Sequence, residues 1–320
     1  MEHVMNITKM MVVLLIAGLI LVGCDSPKSP IRIGVNTWPP CEIWYVAQEM
    51  GFLGETRVEL VRFSAWTDNM QSLYAGKTDL THATYFNALY FADRGEPGEI
   101  ILISDTIEGG DGLALKNDIA TGADLKGRKI AVEVGTDEHF LLHKALGIFG
   151  LTIDDVIVVP TTSAGAKEAF VSGKVDACFT YEPYLSQAAE EGEGRVLVTT
   201  KDFPGYMIDV LVARSNTLKN RKSDYQTIVK AWYQAQKYIK ENPEKSFALM
   251  AKNEKMPPEV FGPFYSGFTF FSLAENKALF KDEALQIKLD EINEFILSIG
   301  LKKKKATVAD VINSELTADL

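Results

Sequence analysis

Ile31-Arg-Ile-Gly-Val-Asn-Thr-Trp-Pro-Pro40, followed shortly by Tyr45-Val-Ala-Gln-Glu-Met-Gly-Phe-Leu53, opens on a short apolar run and then meets two prolines. Ile31 to Val35 has strand length and strand residues. Pro39 and Pro40 lack the N–H that a continuing ladder requires, so the strand gives way to a loop carrying Asn36, Thr37 and Trp38. Ile43 to Met50 then places apolar residues at helical spacing, and Val58 to Arg62 reads as a second strand. The chain therefore starts with a β-α-β unit.

The same rhythm continues beyond this unit. Met70–Tyr74 reads as helix, Leu80–Thr84 as strand, Tyr85–Ala92 as helix and Ile100–Ser104 as strand, with Gly76, Gly95 and Gly98 as breaks. A second α/β series follows. Its strands are Lys129–Val132, Val156–Val159, Ala177–Thr180 and Arg195–Val198, separated by helices at His139–Ile148, Gly165–Val171 and Tyr184–Glu190. Beyond Val210–Ala213 the pattern turns to long helices, Tyr225–Glu241 stopped by Pro243 and Ile287–Leu297 stopped by Gly300. Lys302 to Lys305 reads as a solvated turn.

Upstream of Ile31 the chain has a different character. A polar start ending in Lys9 precedes Met10–Gly23, 14 residues without a charged side chain. That length suits the apolar segment of a secretory signal and falls short of the ~20 residues of a membrane span. Leu21-Val22-Gly23-Cys24 looks like the lipobox of bacterial lipoproteins, which implies that Cys24 carries a lipid anchor. Asp25 to Pro30 is then a polar tether. The expected location is outside the cytoplasmic membrane, anchored to its outer face.

Composition narrows the function classes. With 47% hydrophobic residues in a chain of 320, the protein is folded and long enough for about two domains. Its 33 basic against 43 acidic residues give a net charge of -10, which repels phosphate backbones and argues against nucleic-acid binding. Three cysteines, Cys24, Cys41 and Cys178, form neither a disulfide framework nor a zinc pattern. Asp105, Glu108 and Asp111 lack a calcium-loop pattern and read as hinge or surface loop. His139 and His143, at i and i+4, lack a third ligand, so no metal and no cofactor is expected. No nucleophile elbow, phosphate loop or paired-histidine motif is present, and no enzymatic activity is expected.

Three stretches together resemble the solute-binding proteins of bacterial ABC importers in the nitrate/sulfonate/taurine group, which also includes thiamine-pyrimidine binders. They are the opening Ile31–Pro40 and Tyr45–Leu53, then Leu73-Tyr-Ala-Gly-Lys-Thr-Asp79, and Asp124-Leu-Lys-Gly-Arg-Lys-Ile-Ala-Val132 with its echo Val171-Ser-Gly-Lys-Val-Asp-Ala177 and Tyr181-Glu-Pro183. The resemblance implies a two-lobed periplasmic-binding-protein fold of type II, with two crossovers, a ligand cleft between the lobes and a helical C-terminal tail. The expected bounds are 1–23 signal, 24–30 tether, 31–111 plus 209–320 first lobe and 112–208 second lobe. It further implies an ABC permease with its ATPase subunit as partners. A monomer is expected.

Small ligands of open α/β sheets sit beyond the carboxyl ends of strands, which selects the candidate site residues. Asn36 and Trp38 follow the first strand, with packing under the loop as the alternative for Trp38. Trp66 lies beyond the second strand. Thr84 and Tyr85 follow the third, where Thr84 suits a helix cap. Thr136 offers a hydroxyl and His139 a ring at the start of the helix His139–Ile148, with plain capping as the alternative for Thr136 and packing or exposure for His139. Tyr181 and Glu182 end a later strand, and Asp209 stands at the second crossover. Two acids there favour an amine or a protonated ring nitrogen. The expected ligand is a small polar organic solute, an aminosulfonate, alkanesulfonate or pyrimidine-type molecule, with a nitrate-like anion also kept open. The alternatives are an enzyme of the same fold, of the pyrimidine-synthase or menaquinone-pathway type, and a ligand-loaded sensor.

Overall fold

The computed structural model describes residues 28–92, 98–303, 311–318 and 320. The signal segment and Cys24 lie outside the described residues. Ile31–Leu320 forms one unit.

Eleven strands among the described residues form two sheets. They are β1 (Ile31–Val35), β2 (Val58–Arg62), β3 (Leu80–Thr84), β4 (Gly98–Ile107), β5 (Asp111–Lys116), β6 (Lys129–Val132), β7 (Ile157–Pro160), β8 (Ala177–Tyr181), β9 (Gly194–Thr199), β10 (Asp209–Arg214) and β11 (Phe268–Phe270). The first sheet runs β11-β4-β10-β3-β1-β2 and the second β7-β6-β8-β5-β9. In the first, β1 pairs parallel with β2 and β3, while β10 runs antiparallel to β3 and β4. In the second, β6 pairs parallel with β7 and β8, while β5 runs antiparallel to β8 and β9. The chain passes between the sheets twice, at 108–110 and after β9. This is the mixed α/β fold with two crossovers and a helical C-terminal region that the sequence implies.

The expected strands are present, several of them longer than read. Two strands were not foreseen. β5 begins Asp111-Gly112, where an acid and a glycine hide the strand signal, and β11 has only three residues. The helix expected to start at Met70 starts at Trp66, because Ala65 offers no capping side chain to mark the boundary. The solvated-turn reading fails for Lys302. Its stem is buried at 6% exposure and its Nζ donates to the Leu89 carbonyl at 2.9 Å, so the ammonium closes a helix C-terminal end.

The long helix Lys222–Glu241 shows how the C-terminal region is held. Tyr225, Ile228, Val229, Trp232, Ala235 and Ile239 fall on one face at three- and four-residue spacing and are buried. Trp232 packs on Trp44 and on His82, each at 5.0 Å between ring centroids. Burial pushes the His82 pKa down to about 3, so this ring is a neutral core group. The helix ends at Asn242, and Pro243 opens the next, Pro243–Glu254, at a position where its missing N–H is not needed.

A second C-terminal helix, Glu283–Ser298, reaches the elements of both sheets. Its Phe295 meets Phe86, next to β3, and Phe140, on the helix after β6, at 6.4 and 5.1 Å. Its Glu291 accepts hydrogen bonds from Lys144 Nζ at 3.0 Å and from the Tyr206 hydroxyl at 2.5 Å. One element thus holds the two sheets in their closed relation.

Candidate functional site

The carboxyl ends of β1, β2, β3, β6 and β8 converge between the sheets. Behind them, a buried amide network fixes the β1 loop. Asn69 Nδ2 donates to Asn36 Oδ1 at 2.7 Å, Thr81 Oγ1 donates to Asn69 Oδ1 at 2.6 Å, and Asn36 Nδ2 donates to the Phe63 carbonyl at 3.1 Å. Gly34 makes room for it, since a Cβ there would lie 2.0 Å from Asn69 Oδ1. This network sets the loop that carries Trp38.

A small cavity lies where these ends meet. Trp38, Trp66, Thr84 and Asp209 line it from the side of the first sheet, and Asp111, Asp137, Glu138 and Tyr181 from the side of the second, with Met207 between them. Its volume is about 10 Å³, roughly the room of one water. Links across the cavity are direct. Thr84 Oγ1 donates to Asp137 Oδ1 at 3.0 Å while also capping its own helix by accepting from Asn87 N–H at 3.2 Å. Thr67 Oγ1 donates to Glu133 Oε1 at 3.1 Å, and Glu133 accepts in turn from the Ser163 amide and hydroxyl. The structure is that of a closed cleft.

The aromatic wall is built around Trp38, which is 2% exposed. Its ring meets Tyr181 edge-on at 5.1 Å and packs on Phe268 at 5.0 Å. Its Nε1 donates to Asp209 Oδ2 at 2.9 Å, which fixes the carboxylate as well as the indole. Trp38 is thus packed by its neighbours, as the alternative reading has it, and also lines the cavity.

Electrostatically the site is one-signed. Asp209 stands opposite Asp105 in the β4–β10 ladder. Burial first, and then repulsion from Asp105 and Asp137, holds the Asp209 pKa well above the usual carboxylate range. Burial likewise pushes Asp105 and Asp137 up to about 7. Asp111 and Glu138 are raised well above the ordinary range by burial and then by the acids around them, Asp137 and Glu182 for the former, Glu133, Asp137 and Asp111 for the latter. No Lys, Arg or His lines the cavity among the described residues.

Of the ten residues expected at the site, the structure brings Trp38, Trp66, Thr84, Tyr181 and Asp209 to the cavity. The other five stand elsewhere. Asn36 is occupied in the amide network. Tyr85, next to Thr84, is buried on the far side, and its backbone N–H donates to the Ile208 carbonyl at 2.9 Å. Thr136 donates to the Glu133 carbonyl at 2.7 Å and makes no cap bond. His139 faces Phe295 edge-on at 5.9 Å, with its pKa lowered by burial and by His143. Glu182 accepts from the Ser186 amide at 3.1 Å and the Ser186 hydroxyl at 2.6 Å, and lies on an outer groove of about 590 Å³ beside Pro183, Lys201 and Phe264.

Asp111, Asp137, Glu138 and Met207 line the cavity without having been selected from the sequence. Asp105 and Asp111, read as hinge or surface loop, are strand residues at 0% and 1% exposure on either side of the passage at 108–110, which corrects the surface-loop half of that reading. The available signal was the position of Asp111 and Asp137 beside crossovers and strand ends. Nothing local marks Glu138.

A sequence profile described as the NMT1-like family matches residues 25–252. A protein of Escherichia coli strain K12 named for aliphatic sulfonate binding is 29% identical over 222 residues, 66% of this chain and 66% of that one. Among solved structures, the alkanesulfonate-binding protein SsuA of Xanthomonas axonopodis pv. citri superposes with a TM-score of 0.75 at 19% identity, over 91% of this chain and all of that one. The desulfurization enzyme DSZB has the same fold, with a TM-score of 0.65 at 17% identity over 91% of this chain and 98% of that one. Fold alone therefore does not separate binding from catalysis.

Proposed function

Since the chain belongs to the NMT1-like family, we propose that it is the solute-binding component of an ABC-type importer. It captures a small polar organic solute between its two sheets and delivers it to a permease served by an ATPase subunit. The observation that carries this reading is the small cavity whose wall is contributed by strand ends of both sheets. Such a site opens and shuts as the sheets part and rejoin, and a solute bound by both halves stabilises the shut form. A first lobe of 31–111 plus 209–320 and a second of 112–208 are part of this proposal, supported by the two passages of the chain between sheets, although Asp111 itself pairs within the second sheet. The lipid anchor at Cys24 and the monomeric state belong to the same proposal.

The test is a thermal-shift screen of the full-length protein against alkanesulfonates, taurine, pyrimidines, amines and inorganic anions. Binding to the folded state at about 100 times Kd stabilises by about 2.7 kcal/mol, roughly a 5 °C rise in Tm. At least one solute class is expected to give such a rise. A full panel with no response would end the solute-capture reading.

A further inference from the structure

Building on the proposed solute capture at this cavity, we infer that its solute is a compact organic cation that donates several N–H hydrogen bonds. Three carboxyl groups carry the argument. Asp111 Oδ2 and Glu138 Oε1 are buried with no hydrogen-bond partner among the described residues, Asp209 faces only another acid, the Asp105 carboxyl, on its free side, and all three residues line the cavity at 1%, 1% and 3% exposure. A buried acceptor left unpaired is unfavourable, and a charged one more so, so such groups are retained where something else supplies the donor. No lysine, arginine or histidine among the described residues lines the wall to do so.

The rest of the wall suits the same guest. Trp38, Trp66 and Tyr181 present aromatic surface, whose negative faces attract a desolvated cation. A metal ion is a poor fit, because no group of three or more His, Cys, Asp or Glu among the described residues has the geometry to hold one. A sulfonate or nitrate would meet Asp111, Asp137, Glu138 and Asp209 with no cationic partner in the wall. The specificity of this chain thus departs from the sulfonate named for its Escherichia coli relative. Because the closed cavity has room for about one water, a larger cation is held with the sheets slightly farther apart than here.

Benzamidine and agmatine serve as cationic probes, ethanesulfonate and nitrate as anionic ones, and cytosine as a neutral heterocycle, each in thermal denaturation of the full-length protein. The cations are expected to raise Tm and the anions to leave it unchanged. Calorimetric titration of the better cation into Asp209→Asn and Glu138→Gln should then show Kd weakened about 10–150-fold in each, the loss of one charge-assisted hydrogen bond. Both variants should melt no lower than wild type without ligand, since the neutral Asn and Gln amides stand in for acids whose ionised form burial disfavours; a purely structural role would lower Tm instead. Stabilisation by ethanesulfonate or nitrate, or by cytosine alone, overturns the cationic assignment and leaves solute capture standing. Cation binding that both variants retain at wild-type affinity overturns the assignment to this cavity. Silence from every probe overturns the cationic class, and solute capture falls with it only when the wider screen is silent as well.

Discussion

The unliganded protein is expected to melt at a higher temperature at pH 5 than at pH 8. The cause is the buried acid cluster. An unfolded carboxyl titrates near 4, whereas burial pushes Asp105 and Asp137 up to about 7 and holds Asp111, Asp209 and Glu138 well above the ordinary range. Between about pH 4 and pH 7 the folded chain therefore binds more protons than the unfolded one. Stability falls as pH rises through that window. Glu254, pushed up to about 8 by burial and by Glu42, adds to the same trend. Three histidines oppose it. His82, His139 and His143 are lowered by burial, so the folded state binds fewer protons there and their contribution is lost as pH falls below about 6.5. Each tenfold change in a group's acidity between the folded and unfolded chain is worth about 1.36 kcal/mol. Six raised acids therefore outweigh three histidines, of which only His82 is displaced as far as about 3. Calorimetric melting at pH 5, 6, 7 and 8 at constant ionic strength checks the sign. A cation bound to the cluster reverses it, since the ligand favours the ionised acids: its Kd should tighten from pH 5 to pH 8, with protons released on binding. A Tm that climbs steadily from pH 5 to pH 8 without ligand contradicts the cluster's raised pKa values.

Replacing Arg62 by Leu is expected to destabilise the fold by about 3–5 kcal/mol, because it strands the buried Glu42 carboxylate and removes the partner of the buried Glu254 carboxyl. Arg62 ends β2 and bonds Glu42 through Nη2 and Glu254 through Nη1, the latter at 3.2 Å. The acid side chains are 0% and 2% exposed, and Asn253 Nδ2 donates to Glu42 at 2.8 Å. Burial works against the guanidinium's charge, but Glu42 outweighs it and holds the Arg62 pKa above its ordinary value. The group joins the turn after Trp38 to β2 and to the helix Pro243–Glu254, so its loss also loosens the Trp38 loop. Urea denaturation should show the drop, and adding Glu42→Gln and Glu254→Gln should recover most of it. A loss under about 1 kcal/mol would class the triad with ordinary surface pairs.

The two-sheet fold was legible because strand length, helix spacing and breakers agreed from Ile31 onward. Half of the candidate site was legible for the same reason, as Trp38, Trp66, Thr84, Tyr181 and Asp209 stand at strand ends. Their immediate neighbours show the limit of that rule. Tyr181 and Thr84 are the last residues of their strands, and the chain changes direction directly after them: Glu182 leaves β8 into a turn where it bonds Ser186, and Tyr85 opens a helix. His139 fails similarly, since two residues earlier on the same helix Asp137 takes the inward face. The buried acids were the harder part. Asp111 and Glu138 carry the residue type that composition assigns to the surface, and only the packing of the second sheet against the first encloses them. Lys302 was misread in the same way, as a charge whose burial depends on a distant carbonyl.

The most direct measurement is a crystal structure of the full-length protein with the compound that raises Tm most in the screen. The account predicts density for that compound between Trp38, Trp66 and Tyr181, with its nitrogens within hydrogen-bond distance of Asp209, Asp111 and Glu138. Density for it only on an outer surface, such as the groove beside Glu182 and Phe264, with the cavity between the sheets unchanged, would contradict the account.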